Sequence, residues 1–131
     1  MSARPFALTL ALAAALPLCA QAGNESRSKA YQLDSGLIEV IADFSENAIY
    51  WCGAGDYALT RLKKPANQRL YVWKGPSAST AQPGERAVTF GFERPPGAAE
   101  VSTLTNDVKL IGNSLSVAQA KKTCDERTAS G

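Results

Sequence analysis

The sequence predicts an α+β domain: a small antiparallel sheet of three to four strands in β-α-β-β-β-α order, covered on one face by two helices that a disulfide links. Three observations carry this expectation. Short runs of alternating apolar and polar residues mark strands, and one long run between the first two of them has helical spacing with complete end signals. Two cysteines, one in each helical segment, remain once an amino-terminal leader is set aside.

The leader is "MSARPFALTLALAAALPLCAQA". It has a positive side chain at Arg4, an apolar run from Phe6 to Leu18, and Ala20 and Ala22 in the A-x-A pattern of an export signal. The run falls short of the roughly 20 residues that a permanent helical span needs, so residues 1–22 read as a cleaved signal peptide and the mature chain as beginning at Gly23. Cys19 leaves with the leader, because Leu18 ahead of it is not the small residue that lipid attachment favours. The expected location is the periplasm or the exterior of the cell, with no permanent membrane span. Residues 23–131 suit one domain with a modest core.

Within that domain, "GNESRSKAYQLD" is polar and has neither period, so residues 23–35 read as a flexible mature N-terminus, 36–127 as the domain and 128–131 as a tail. In "LIEVIADF", Ile38, Val40, Ala42 and Phe44 form one apolar face of a first strand, and Leu37, Glu39, Ile41 and Asp43 a mixed one. A helix is expected from Glu46 to Lys64: Ser45 suits the N-cap, Phe44 and Ile49 suit a hydrophobic staple, and Lys63-Lys64-Pro65 supply a cationic end and a stop. Gly53 and Gly55 each cost about 1 kcal/mol in a helix interior. Close packing of the helix against a neighbour accounts for them better than a break does.

"RLYVWKG" reads as a second strand, with Leu70 and Val72 on one face and Tyr71 and Trp73 on the other, and "PSASTAQPGE" as a loop. "RAVTFGFER" is the clearest strand, with Val88, Phe90 and Phe92 inward. A weaker extended region covers Val101 to Ile111. Ser116 and Gln119 make a capping box that opens a last helix carrying Cys124. The helix between the first two strands acts as a crossover, so inserting the third strand between them gives an antiparallel order 1-3-2.

The chemistry available is narrow. There is no histidine, which removes Ser-His and Cys-His pairs and most zinc sites. The 14 basic and 12 acidic side chains are scattered, leaving no electrostatic footprint for nucleic acid. "GAG" lacks the spacing and the following Lys-Ser/Thr of a phosphate loop. Among the carboxylates, helix capping accounts for Asp43 and Glu46, and a hydrogen-bonded or solvated helix position for Asp56. The sequence therefore leads to no expected catalytic residue, metal or cofactor.

"VIADFSENAIYWCG" resembles the thioredoxin active site, in which a cysteine at a helix N-terminus is a nucleophile. It departs from that pattern in having Gly55 where the second cysteine belongs, and in setting Cys52 about two turns into the helix. A degenerate thioredoxin-like thiol protein using Cys52 is thus the alternative reading. The favoured one is a structural disulfide between Cys52 and Cys124, since an exported chain meets an oxidising compartment and one cysteine pair remains. Closing so long a loop is worth roughly 4 kcal/mol on the chain-entropy model.

"YWCGAGDYA", followed by "RLYVWKGPS", "RAVTFGF" and "GNSLSVAQAKKTC", resembles a family of small uncharacterised exported bacterial proteins. The resemblance implies bacterial export and the same cysteine pairing, and carries no activity. The functional expectation is a non-enzymatic domain that binds a protein partner in the cell envelope or outside the cell. Its candidate contacts are Trp51, Tyr57, Tyr71 and Trp73, with Tyr50 beside them, because amphipathic aromatic rings suit interfaces. The Gly75–Glu85 loop is a second candidate.

Cleavage is expected after Ala22. Intact-mass measurement of the exported protein checks this, and a lipid adduct on Cys19 or a retained apolar segment is the contrary result.

Overall fold

The computed structural model describes residues 28–42, 46–102 and 104–130, the side chains of 126–130 excepted. Among the described residues five strands and two α-helices follow one another: β1 (Ser28–Gln32), β2 (Ile38–Ala42), α1 (Asn47–Asp56), β3 (Arg69–Ala78), β4 (Arg86–Gly91), β5 (Ser114–Ser116) and α2 (Val117–Ser130). The strands form one sheet in the order β1-β2-β4-β3-β5, every neighbouring pair antiparallel. Its centre, β2-β4-β3, is the 1-3-2 arrangement expected from the crossover.

Register sorts the side chains into two faces. Val40 lies opposite Val88, Ile38 opposite Phe90, and Phe90 opposite Val72, so these residues share one face. They are fully buried, with Leu70, beneath α1 and α2. The alternate positions Glu39, Ile41, Ala87, Thr89 and Tyr71 point to the other face, called here the outer face. At the centre of the core the Trp51 ring of α1 meets Phe90 edge to face, centroids 4.9 Å apart and planes inclined by 62°. Such a pair adds about 0.5–1.5 kcal/mol beyond its buried area.

The segment 23–35, read as flexible, contains a strand. β1 runs antiparallel to β2 and places Ser28 and Ala30 inward. Because small residues fill that inward row, no apolar alternation marks it. Gly36, at φ 93°, makes the tight turn into β2, and the amide of Leu33 bonds the Leu37 carbonyl at 2.8 Å. Among the described residues the sheet therefore has five strands rather than three to four.

The described residues of the expected strand at 101–111 form a loop. Its polar groups are met by side chains instead of a ladder: the Val108 amide donates to Asn47 Oδ1, and Asn113 Nδ2 donates to the carbonyls of Thr105 and Asp107. Val108 is buried, whereas Leu104 is 86% exposed. β5 instead forms just beyond, opposite Arg69 to Tyr71. The capping box stands as expected, with the Gln119 amide donating to Ser116 Oγ at 3.0 Å and the Ser116 amide to Gln119 Oε1 at 2.9 Å. α2 then runs to Ser130, so the expected tail at 128–131 is helical through that residue.

α1 passes through Gly53 and Gly55 unbroken but stops short of Lys64. After Asp56 it widens into a π-helical turn, Tyr57–Arg61. There the Thr60 hydroxyl donates to the Asp56 carbonyl at 2.7 Å, competing with the α-helical bond. Lys63 then adopts φ 58°, and the Lys64 amide reaches back to the Ala58 carbonyl at 2.9 Å, closing the end in a Schellman-like motif. The expected Ser45 cap and Phe44–Ile49 staple, and Asp43, lie outside the described residues.

Both helix glycines sit at close approaches. A Cβ at Gly53 would run into Ser28 Oγ and come within 2.8 Å of Val40 Cγ1. One at Gly55 would stand 2.5 Å from the Lys121 backbone nitrogen and 2.8 Å from the Ala120 carbonyl carbon. The second obstruction is helix backbone and cannot swing aside. Gly55→Ala is accordingly expected to destabilise the domain by about 1–3 kcal/mol despite alanine's better helix propensity. Chemical denaturation of the purified variant checks this, and a gain in stability is the contrary result.

Candidate functional site

Close packing at Gly55 brings Cys52 and Cys124 together. They form a disulfide between α1 and α2, Cα atoms 4.9 Å apart and 72 residues apart in sequence. Cys52 is fully buried and Cys124 is 3% exposed. Two further ties run parallel to it: Thr123 Oγ1 donates to the Ala48 carbonyl at 3.0 Å, and Lys121 Nζ meets Asp56 Oδ1 at 2.9 Å. Cys52 thus sits mid-helix with its sulfur bonded, not at a helix N-terminus facing solvent, where a thiol is activated.

The candidate carboxylates are held apart. Asp56 is buried against Lys121, while Glu46 is exposed at the start of α1, ten residues or about 15 Å of helix away. Among the described residues no group of three or more His, Cys, Asp or Glu side chains is arranged to hold a metal ion.

The four candidate aromatic contacts divide two and two. Trp51 is fully buried, its indole N–H donating to the Asn106 carbonyl at 2.8 Å, and Tyr57 is also in the core. Neither is open to a partner, which corrects the expectation for both. The Asn106 bond shows why: an amphipathic ring deep in the fold needs only one acceptor to satisfy its polar tip. Tyr50 is buried as well, and burial pushes its phenol pKa up against the lowering influence of Arg86.

Tyr71 and Trp73 lie half-buried on the outer face. A bulge between Val72 and Lys74 sets Trp73 out of the regular ladder with β4. Its indole N–H donates to the Glu93 carbonyl at 2.7 Å, and its ring lies across Gly91, where a Cβ would come within 2.5 Å of Trp73 Nε1 and 2.8 Å of Leu37 Cδ2. Gly91 is therefore the recess that receives Trp73.

Beside this aromatic pair is a group that sequence reasoning passed over. Glu39, in mid-β2, is 2% exposed. Its Oε1 accepts the Ser79 hydroxyl at 2.7 Å and the Ala81 amide at 2.9 Å, and its Oε2 accepts the Thr80 amide at 2.7 Å. Burial raises the Glu39 pKa, but the amides of Ala81 and Thr80 and the side chains of Ser79 and Thr80 together outweigh it, leaving the carboxyl below its ordinary value. The candidate Gly75–Glu85 loop is thus β3 as far as Ala78, then a turn folded back onto the sheet. The available signal was a lone glutamate inside "LIEVIA" with a Ser/Thr-rich segment elsewhere to receive it.

No protein-family model, curated protein or solved structure matches the chain. Among the described residues no helix is long and apolar enough to cross a membrane.

Replacing Cys52 or Cys124 by serine is expected to cost about 2–5 kcal/mol, and replacing both should add little, because one bond is lost once. Denaturant titrations of the three variants measure this. Peptide mapping of the exported protein without reductant, after blocking free thiols, tests the pairing directly, and two alkylated cysteines contradict it.

Proposed function

We propose that the mature protein is an exported, non-enzymatic binding domain that engages a protein partner of the cell envelope or exterior through the outer face of its sheet. The observation that carries this reading is the half-exposed pair Tyr71 and Trp73 on the face that neither helix covers. Aromatic rings contribute large contact area for little lost conformational freedom, and those fixed in advance lose least. Trp73 is so fixed by the Gly91 recess and the Glu93 carbonyl.

A buried disulfide suits the oxidising compartment that export implies. The resemblance to small exported bacterial proteins points the same way and belongs to the same proposal. The thiol reading fares worse, because Cys52 is buried and bonded and Asp56 is paired with Lys121.

The test is capture of partners from envelope extract by the immobilised mature domain, comparing the native protein with Tyr71→Ser and Trp73→Ala. Loss of one specific captured protein at least tenfold in both variants, with thermal unfolding still cooperative, supports the outer face. Capture unchanged by both substitutions removes it.

A further inference from the structure

We infer that Glu39 is an acid-released latch: ionised, it holds the 79–85 turn down over the outer face of the sheet, and protonated, it lets that turn go while the rest of the domain stays folded. This inference stands apart from the partner proposal, since it concerns only the turn and the sheet beneath it.

The turn has little else to hold it in place. Internally the Ser79 amide bonds the Glu85 carbonyl at 2.8 Å and the Glu85 amide bonds the Gln82 carbonyl at 3.0 Å. The Gln82 amide bonds Ser79 Oγ at 2.9 Å, the same hydroxyl that donates to Glu39. The successive amides of Thr80 and Ala81 converge on the carboxylate as an anion-binding nest. Bonds of this charge-assisted kind are roughly twice as strong as neutral ones.

Protonation weakens the match. Oε1 accepts two donors, the Ser79 hydroxyl and the Ala81 amide, and Oε2 accepts the Thr80 amide. A proton on Oε1 displaces one of those two donors unless the Ser79 hydroxyl turns to accept it, and a proton on Oε2 takes the lone pair that the Thr80 amide leaves open. In either case the two backbone amides, which only donate, are left with a neutral carboxyl, and their bonds lose the charge assistance that roughly doubles their strength.

The surroundings leave Glu39 as the group that responds. On β1, Tyr31 stands directly opposite Glu39, and Lys29 is two residues along on the same face. On β4, Thr89 is opposite, with Lys74 of β3 beyond it. The side chains that face it from those strands are thus a phenol, a hydroxyl and two amines, and none is a second carboxylate. Glu85, the carboxylate of the turn itself, is exposed and makes no side-chain hydrogen bond or ion pair among the described residues. The core and the disulfide lie on the opposite side of the sheet.

The sign follows from linkage. Because the folded carboxyl is held below its ordinary value, the latch is fully set above that ordinary value and is lost as pH falls through the lower folded one.

The experiment is an NMR titration of the mature protein from pH 7 to pH 2, following backbone amide shifts and exchange protection. The Thr80, Ala81 and Gln82 amides are expected to move together, with one midpoint below that of an ordinary glutamate. Their protection should fall at least tenfold relative to Val88 and Phe90 in β4. In Glu39→Gln the same amides should be unprotected already at neutral pH and insensitive to acid. Should that variant fail to fold, Ser79→Ala, which removes one of the three bonds, should raise the midpoint. The idea is overturned if Thr80 and Ala81 lose protection only together with Val88. It is equally overturned if the turn of Glu39→Gln stays protected, or if the Ser79→Ala midpoint does not move.

Discussion

Contact between the backbones of α1 and α2 at Gly55 is the constraint on which the remaining architecture rests. With no side chain at that position, the α2 backbone at Ala120 and Lys121 comes within van der Waals range of α1. That approach gives the Cys52–Cys124 bond its 4.9 Å Cα separation, and it brings Thr123 to the Ala48 carbonyl and Lys121 to Asp56. Two helices locked this closely act as one slab, and the sheet presents its apolar face of Ile38, Val40, Leu70, Val72, Val88 and Phe90 to it. Gly53, against Ser28 and Val40, extends the same close approach to β1 and β2.

Much of this was legible where one signal had one meaning. Alternation in "RAVTFGF" marked β4, and Val88 and Phe90 are buried as that pattern requires, though Phe92 falls just past the strand and is only partly covered. Ser116 and Gln119 spelled a capping box and form one. Illegible were the elements whose inward residues are small or whose partners are distant. β1 hides because Ser28 and Ala30 carry no apolar signal, and the 101–111 loop misleads because Val108 is buried by a turn that Asn47 and Asn113 organise from elsewhere in the chain. The aromatic candidates show the same limit: nothing local distinguishes Trp51, in the core, from Trp73, on the outer face.

The two faces of the sheet are stabilised by different physics. The helix side is apolar burial reinforced by a covalent bond. On the outer side, Trp73 rests in the recess at Gly91, and a single carboxylate organises the turn after β3. Burying Glu39 is costly in itself, and three donors from one turn offset that cost. This makes the outer face the more sensitive of the two to solution conditions, since apolar packing is indifferent to protons and a carboxylate is not.

The 72-residue separation of the two cysteines also orders events in time. At synthesis rates of about 5–20 residues per second, Cys52 waits roughly 4 to 14 s before residue 124 exists. Throughout that interval α1 has no α2 to fill the hollow beside Gly55, and Cys52 is without its mate. Completion of the fold is therefore deferred to the arrival of the last helix, and a chain interrupted anywhere before Cys124 lacks both the closing bond and the surface that buries it.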